Sequence, residues 1–169
     1  MQTNETPDRI EKKITLRAPL SRVWRAVSDA KEFGVWFGVR FDGPFVAGQS
    51  LKGRMTPTEV DPEVAKQQEP YKGKAFEWTV ERIEPQSLIS FRWHPFAIEE
   101  NVDYSKEPTT LILFQLEALD GQRTQLTITE SGFSKIPLER RAKAFAANEG
   151  GWTHQANLIE KYLAAHAAR

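Results

Sequence analysis

The stretch GGWTHQANLIEKYLAAHAAR, residues 150–169, has the apolar periodicity of one amphipathic helix. At about 100° per residue, large apolar side chains fall on one stripe and polar side chains on the opposite face. The stripe contains Trp152, Ala156, Ile159 and Leu163, with Tyr162 at its edge, and the opposite face contains Asn157, Glu160 and Lys161. One face of this helix is therefore expected to be buried against another layer of the protein.

The residues before this helix have mainly the period-two alternation of β-strands. Ile10, Ile14 and Leu16 indicate a first strand, and two short helices are predicted after Pro19. From Val39 onward, alternating runs separated by turn residues predict an antiparallel meander. The pattern predicts an α+β fold in which a curved antiparallel sheet wraps around a long C-terminal helix.

Two segments interrupt the predicted meander, residues 58–70 and 95–108, and both are predicted to be exposed loops because they are rich in acidic residues and proline. A short helix is predicted from Pro137 through Phe145. A kink or break near Gly150 and Gly151 should separate it from the terminal helix.

Size and composition limit the class of protein. The 169 residues suit one domain, with residues 1–9 as a frayed tail. The 23 basic and 23 acidic residues cancel, which argues against nucleic acid and other highly charged partners. The absence of cysteine excludes disulfides and thiolate metal sites. The chain shows neither a signal-like stretch nor an apolar run of membrane-spanning length, so a cytoplasmic protein without membrane insertion is predicted.

Several local segments strengthen this picture, and they are listed here with their residue numbers: PLSRVWRAVSDA (19–30), FGVWFG (33–38), FRWHPFA (91–97), DYSKEPTT (103–110), TESGF (129–133) and NEGGWTHQANLIEKYL (148–163). Together with the element order, they resemble the START/Bet v 1-like (SRPBCC) superfamily. The similarity is to the branch named after the activator of heat-shock protein 90 ATPase. The resemblance implies a helix-grip fold with a cavity between sheet and terminal helix.

The resemblance does not name the contents of that cavity. The superfamily includes lipid and hormone carriers, polyketide cyclases, hydroxylase domains and co-chaperone modules. The leading hypothesis is therefore binding of a small hydrophobic molecule, aromatic or lipid-like, without chemistry. The alternatives are a cyclase- or hydrolase-type enzyme and a module that interacts with a chaperone.

The candidate ligand-binding residues combine predicted inward parity with bulk or a polar tip: Trp36, Phe37, Phe76, Trp78, Trp93, Gln155 and Ile159. Large aromatic rings also fill ordinary cores, and at least half of the aromatics are expected to do so. Gln155 lies toward the apolar stripe, where an amide could orient a ligand or hydrogen-bond to a neighbouring strand.

Two residues are weak candidates for acid–base chemistry. Glu130 has the parity of Leu126 and Ile128, so a regular strand would turn its carboxylate inward. The competing structural interpretation is a bulge or strand end that lets it reach solvent or Arg92. His94 ends an aromatic strand. Its ring could hydrogen-bond to the backbone there, or it could lie at the mouth of the cavity as a polar residue or general base.

Other catalytic or cofactor chemistry has no support in the sequence. The chain has no G-x-S-x-G, H-E-x-x-H or glycine-rich phosphate loop. His154 and His166 do not combine with His94 in a spacing that would hold a metal ion. We therefore expect no metal site and no cofactor.

Overall fold

The scaffold of the protein is a seven-stranded antiparallel sheet. The computed structural model describes residues 8–97 and 103–166. The strands are β1 (Arg9–Leu16), β2 (Val39–Phe41), β3 (Ser50–Met55), β4 (Ala75–Glu84), β5 (Leu88–Trp93), β6 (Thr110–Ala118) and β7 (Thr124–Ser131). They lie in the order β1-β7-β6-β5-β4-β3-β2, so β1 and β2 form the two edges. The predicted meander and the α+β fold class are confirmed.

The two short helices predicted after the first strand are α1 (Leu20–Ser28) and α2 (Ala30–Phe37). They are separate because Asp29 has an extended backbone and its carboxylate accepts hydrogen bonds from the N–H groups of Lys31 and Glu32. Gly38, with φ of 93°, ends α2 in the left-handed conformation that glycine adopts without strain.

The terminal helix, α4 (Leu138–Ala165), is one continuous helix of 28 residues. The predicted break near Gly150 and Gly151 is therefore wrong. Each glycine costs the helix about 1 kcal/mol relative to alanine, but packing of the following apolar stripe against the sheet outweighs that cost. A Cβ atom at either glycine would meet no atom within 4 Å, so a close contact does not explain their presence.

The amphipathic character predicted for α4 is confirmed from Trp152 onward. Trp152, Ala156, Ile159, Tyr162 and Leu163 are buried, whereas Asn157, Glu160 and Lys161 are exposed. This buried stripe faces the concave layer formed by the sheet, α1 and α2. Residues 167–169 of the predicted helix and residues 1–7 of the predicted tail lie outside the described residues, and Arg9 already belongs to β1.

The interior between α4 and the sheet is filled by aromatic side chains. Phe33 of α2 lies at the centre, with ring centroids at 4.7 Å from Trp36, 5.8 Å from Trp78 and 5.7 Å from Phe114. We call the whole set the aromatic cluster: Phe33, Trp36, Phe37, Phe41, Phe45, Trp78, Phe91 and Phe114. Such packing is typical of a core, and it leaves little room for a large central cavity.

A polar clamp joins the C-terminal end of α4 to α1 and α2. The guanidinium of Arg22 lies 2.9 Å from the Glu32 carboxylate, and its Nε donates to the carbonyl oxygen of His166 at 3.2 Å. The Tyr162 hydroxyl donates to the same Glu32 carboxylate at 2.7 Å. These bonds fix the last turns of α4 on the two short helices.

The segment 58–70 differs from the exposed loop predicted for it. It contains α3 (Pro62–Gln68), and Asp61 caps the N-terminus of this helix. The Asp61 carboxylate accepts hydrogen bonds from two backbone N–H groups and also pairs with Lys161 of α4. Thr58 is buried and donates its hydroxyl to the carbonyl oxygen of Trp36 at 3.0 Å. The prediction was wrong because it took the proline and acidic residues as signs of a loop. A proline at the first helical position and an aspartate cap are also typical of the start of a helix.

Within residues 8–97 and 103–166, no helix combines the length and the apolar character that crossing a membrane would require.

Replacing Ile159 by alanine should lower the free energy of unfolding by about 2 to 5 kcal/mol, because this fully buried side chain packs between α4 and the sheet. Chemical denaturation measures the change. The neighbouring exposed Glu160→Ala is the control and should stay within about 0.5 kcal/mol of the wild type. Equal midpoints for the two variants would show that the stripe is not packed.

Alkaline pH should weaken the clamp. Burial first, and the hydrogen bond to Glu32 second, raise the pKa of Tyr162 above its ordinary value of 10.0. Because the folded protein holds this proton more tightly than the unfolded chain, the stabilisation is complete below about pH 10 and is lost as pH rises through the folded-state pKa. Tyr162→Phe should reduce the loss of stability measured by urea denaturation above about pH 10, and Tyr71→Phe should leave it unchanged. Equal alkaline losses in Tyr162→Phe and the wild type would contradict the assignment.

Candidate functional site

Glu130 lies inside the protein near the end of β7. The strand stays regular there, with Glu130 opposite Ile10 on β1 and Ile112 on β6. Its side chain shares the inner face with Ile128 and is fully buried. The inward orientation predicted from sequence parity is confirmed, and the alternative of a bulge is wrong.

The predicted alternative partner, Arg92, points away from Glu130. Its guanidinium lies 3.1 Å from Glu81 on the neighbouring strand and also contacts the Thr109 hydroxyl at 3.5 Å. Opposite parity along β5 separates Arg92 from the inward-facing Phe91 and Trp93. The pairing of Arg92 with Glu130 that the sequence left open does not occur.

The Glu130 carboxylate instead accepts hydrogen bonds from four neutral side chains. The indole N–H groups of Trp93 and Trp152 donate at 2.8 and 2.7 Å, and the Thr110 hydroxyl donates at 2.6 Å. The Asn148 amide donates to both oxygens, at 2.9 and 3.0 Å. A carboxylate has about four lone-pair sites, so this arrangement leaves no free site for a substrate proton.

This Glu130 network joins β5, β6, β7 and α4 at one point. Among residues 8–97 and 103–166, no basic side chain forms an ion pair with Glu130. Lys12, which also contacts α4, is instead paired with Glu149 at 2.7 Å. Neutral hydrogen-bond donors therefore satisfy the buried carboxylate oxygens without a counter-ion.

A small pocket opens beside this network, between α4 and the ends of α2 and β5. Its volume is about 60 Å³. Its lining residues are Phe37, Trp93, Asn148, Gly151, Trp152 and Gln155. That volume corresponds to roughly two water molecules, well below the few hundred Å³ of a typical ligand site.

The seven predicted ligand-binding residues divide between the pocket and the core. Phe37, Trp93 and Gln155 line the pocket. The other four do not: Trp36, Trp78 and Ile159 are fully buried in the core, and half-buried Phe76 packs its ring near those of Phe41, Trp78 and Trp93. Inward parity is shared by core and pocket residues, so the sequence pattern could not separate them.

Three aromatic rings form one wall of the pocket. The centroids of Phe37, Trp93 and Trp152 are separated by 6.4, 6.0 and 6.2 Å, which makes a nearly equilateral triangle. Two of the three rings are held in place through their N–H bonds to Glu130. The wall is therefore apolar in character and fixed in position.

Gln155 places a buried amide group in the lining of the pocket, and one atom of this amide has no hydrogen-bond partner among the described residues. Its Nε2 donates to the carbonyl oxygen of Phe37 at 3.1 Å, which fixes the orientation of the amide because only the nitrogen can donate. Its Oε1 is buried and has no hydrogen-bond partner in the described part of the chain. Buried acceptors without partners are rare, so this oxygen needs an explanation.

The three histidines lie apart from the small pocket. Nε2 of His94 contacts the carbonyl oxygen of Glu107 at 3.2 Å, and His94 is not among the pocket-lining residues. His154 is exposed, and His166 stacks on Tyr162 with ring centroids 4.4 Å apart. Within the described ranges, no group of three or more potential ligands is arranged to hold a metal ion.

A second, wider groove of about 860 Å³ runs along the outer side of α2. It lies between that helix, β2 and the loops on either side of β3, with both apolar and charged side chains, among them Val35, Phe45, Asp29 and Arg40. None of the predicted site residues lies in it.

Sequence reasoning missed Thr110, Asn148, Gly151 and Trp152 as site residues. The available signal was in three of the quoted segments, because TESGF contains Glu130, NEGGW contains Asn148, Gly151 and Trp152, and DYSKEPTT ends at Thr110. The structure shows that the last two segments both hydrogen-bond to Glu130.

Comparison with known proteins gives the family and the fold of this chain. A family model described as "Activator of Hsp90 ATPase homolog 1-like protein" matches residues 17–164. The chain belongs to this family. The match includes every residue of the Glu130 network and every lining residue of the small pocket. No curated protein sequence matches the chain significantly.

Solved structures share the fold of this family member. DynU16, a protein in the dynemicin biosynthetic locus, is 21% identical with a TM-score of 0.66, over 96% of this chain and 49% of that one. A protein from Arthrobacter aurescens is 20% identical with a TM-score of 0.69, over 93% and 86%. The Aha1 dimer from Colwellia psychrerythraea is 17% identical with a TM-score of 0.62, over 92% and 95%. The chain thus spans about half the length of DynU16 and most of the other two.

Replacing Glu130 by glutamine should lower the free energy of unfolding by about 1 to 3 kcal/mol, because an amide N–H₂ would face donors that now meet an acceptor. The indole N–H signals of Trp93 and Trp152 should shift in NMR spectra. The indole signal of Trp36, which donates to the carbonyl oxygen of Ala26, is the internal reference. Unchanged signals for both Trp93 and Trp152 would contradict the network.

Proposed function

We propose that this family member binds a small, largely apolar ligand whose polar head group enters the pocket beside Gln155. One observation carries the proposal: Gln155 Oε1 is a buried acceptor without a partner, next to a pocket with an aromatic wall. A ligand that donates a hydrogen bond to this oxygen would satisfy it, and such pairing gives both affinity and orientation.

The wall of the pocket favours an apolar ligand body. Phe37, Trp93 and Trp152 present rings, and the Glu130 network restrains two of them before any ligand arrives. Restraint of this kind reduces the entropy lost on binding. Because the pocket holds only about 60 Å³, the body of the ligand must lie at the mouth, against half-buried Trp93, or displace that ring.

Binding without chemistry is the version that the geometry supports best. Glu130 is saturated by its four donors, and His94 contacts a backbone carbonyl away from the pocket lining. A general acid or base must reach the proton that it transfers. The acid–base alternative therefore has no candidate group with free access to the pocket.

The exposed side chains give less support to the alternative of a chaperone-binding module. Among the described residues, the large hydrophobic side chains that are exposed are Val46, Leu119 and Leu138. They belong to three different segments, the connection between β2 and β3, the turn between β6 and β7, and the first turn of α4, and the strands β4 and β5 lie between the first two. Scattered single residues of this kind do not form the contiguous patch that marks a protein interface.

The test is to block the pocket from the helix side. Gly151 lines the pocket, and a Cβ atom there would meet no atom within 4 Å, so Gly151→Phe should place its ring at the mouth of the pocket. NMR titration of the Trp152 indole and Gln155 amide signals with benzyl alcohol and with benzylamine measures binding. Gly151→Phe should weaken the affinity for these probes at least tenfold.

Gly150→Phe is the matched control, because Gly150 is the exposed neighbour, also has open space around it, and does not line the pocket. It should bind the probes as the wild type does. Failure of both probes to perturb the wild-type signals, or equal binding by both variants, would reject the pocket as the binding site.

A further inference from the structure

We infer that the pocket selects ligands with a primary ammonium head group over neutral and anionic ligands of the same shape. The inference rests on the proposed function, because it concerns the same pocket. Three independent features of the pocket support it: the charge behind its wall, the hydrogen-bonding groups that remain available, and its aromatic lining.

The charge comes from Glu130. Trp93, Asn148 and Trp152 line the pocket and also donate to Glu130, so the carboxylate lies directly behind the wall. Four neutral donors satisfy its oxygens but do not cancel its net charge. In a buried environment that charge attracts a cation and repels an anion more strongly than it would in water.

Two basic side chains on or beside α4 are engaged elsewhere. Lys12 is paired with Glu149, and Arg140 of α4 is paired with Glu107 at 2.8 Å and also donates to the carbonyl oxygens of residues 95 and 96. Neither lines the pocket. The described part of the chain therefore places no cation in the pocket that would balance Glu130 or hold an anionic ligand.

The hydrogen-bonding groups around the pocket also favour a ligand head group that donates hydrogen bonds. The donors of Trp93, Trp152 and Asn148 are occupied by Glu130, and the amide N–H₂ of Gln155 is directed to the carbonyl oxygen of Phe37. Gln155 uses one of its two amide N–H bonds in that contact, and its Oε1 is a buried acceptor without a partner. An ammonium group supplies donors to such an oxygen, whereas a carboxylate supplies none.

Among the aromatic side chains of residues 8–97 and 103–166, Trp78 also holds a buried polar atom without a partner, its indole N–H. Trp78 packs behind Phe37 and Trp93, with ring centroids at 6.0 and 5.5 Å, and it does not line the pocket. Trp78 is therefore not among the residues that a head group in the pocket would meet.

Aromatic rings and limited space define the kind of cation. The rings of Phe37, Trp93 and Trp152 offer negative π faces, and tryptophan is the strongest partner in cation–π contacts. A volume of about 60 Å³ favours a compact head group, such as a primary ammonium with its first carbon atom. The ligand class is therefore a primary amine on an apolar, for example aromatic, body.

Three probes that share one benzene ring test the selection: benzylamine, which is protonated at neutral pH, benzyl alcohol and benzoate. We expect benzylamine to bind roughly tenfold or more tightly than benzyl alcohol, on the scale of a cation–π contact, and benzoate to bind more weakly than both. Isothermal titration and NMR shifts of the Trp152 indole report the affinities.

Variants separate the contributions. Gln155→Leu should reduce the preference for benzylamine, Gln155→Glu should increase it, and the outward-facing Gln115→Leu on β6 should leave it unchanged. Glu130→Gln should bring benzylamine affinity close to that of benzyl alcohol. Because Glu130→Gln also disturbs the network, the two Gln155 variants keep the test decisive if that protein does not fold.

The outcomes distinguish this inference from the proposed function. If all three probes bind equally, or if benzoate binds best, the pocket is a binding site without cation selectivity and the inference is overturned. If none of the probes perturbs the Trp152 or Gln155 signals, the proposed function fails and the inference fails with it.

Discussion

The hydrogen bonds to the buried Glu130 carboxylate constrain one whole end of the protein. A carboxylate without solvent or a cation is stable only when donors reach both oxygens, and those donors come from β5, β6 and α4. The requirement fixes where α4 crosses the sheet and how the rings of Trp93 and Trp152 are oriented. The small pocket is a consequence, since it lies where these same residues meet Phe37 and Gln155.

The interior shows how a fold associated with a cavity can be nearly full. Phe33 contributes a ring from α2 to the centre of the space between sheet and helix, and rings from β4, β5 and β6 surround it. Dense packing of this kind stabilises the two layers against each other. The remaining space lies at the edge of this core, in the small pocket between α4, α2 and β5. There a polar side chain, Gln155, stands where another ring could have packed.

Local periodicity was sufficient to predict the sheet, the buried stripe of α4 and the inward orientation of Glu130, because each depends on which face of one element is buried. The continuous helix through Gly150 and Gly151 was not predicted, since tertiary packing there outweighs a weak local preference. The partners of Glu130 could not be predicted either. They are brought together by the antiparallel register and by the crossing of α4, which single elements do not encode.

β1 forms one edge of the sheet, and its side chains affect whether a second copy of the chain can pair with it there. Residues directly opposite each other in a sheet carry their side chains on the same face, so in the two longest antiparallel registers of β1 with a second copy Lys12 would face Lys12, or Lys13 would face Lys13. Like charges directly opposite each other disfavour such a ladder. The exposed backbone of β1 is therefore protected by its own side chains from extending the sheet into a neighbouring molecule, as charged edge strands generally are.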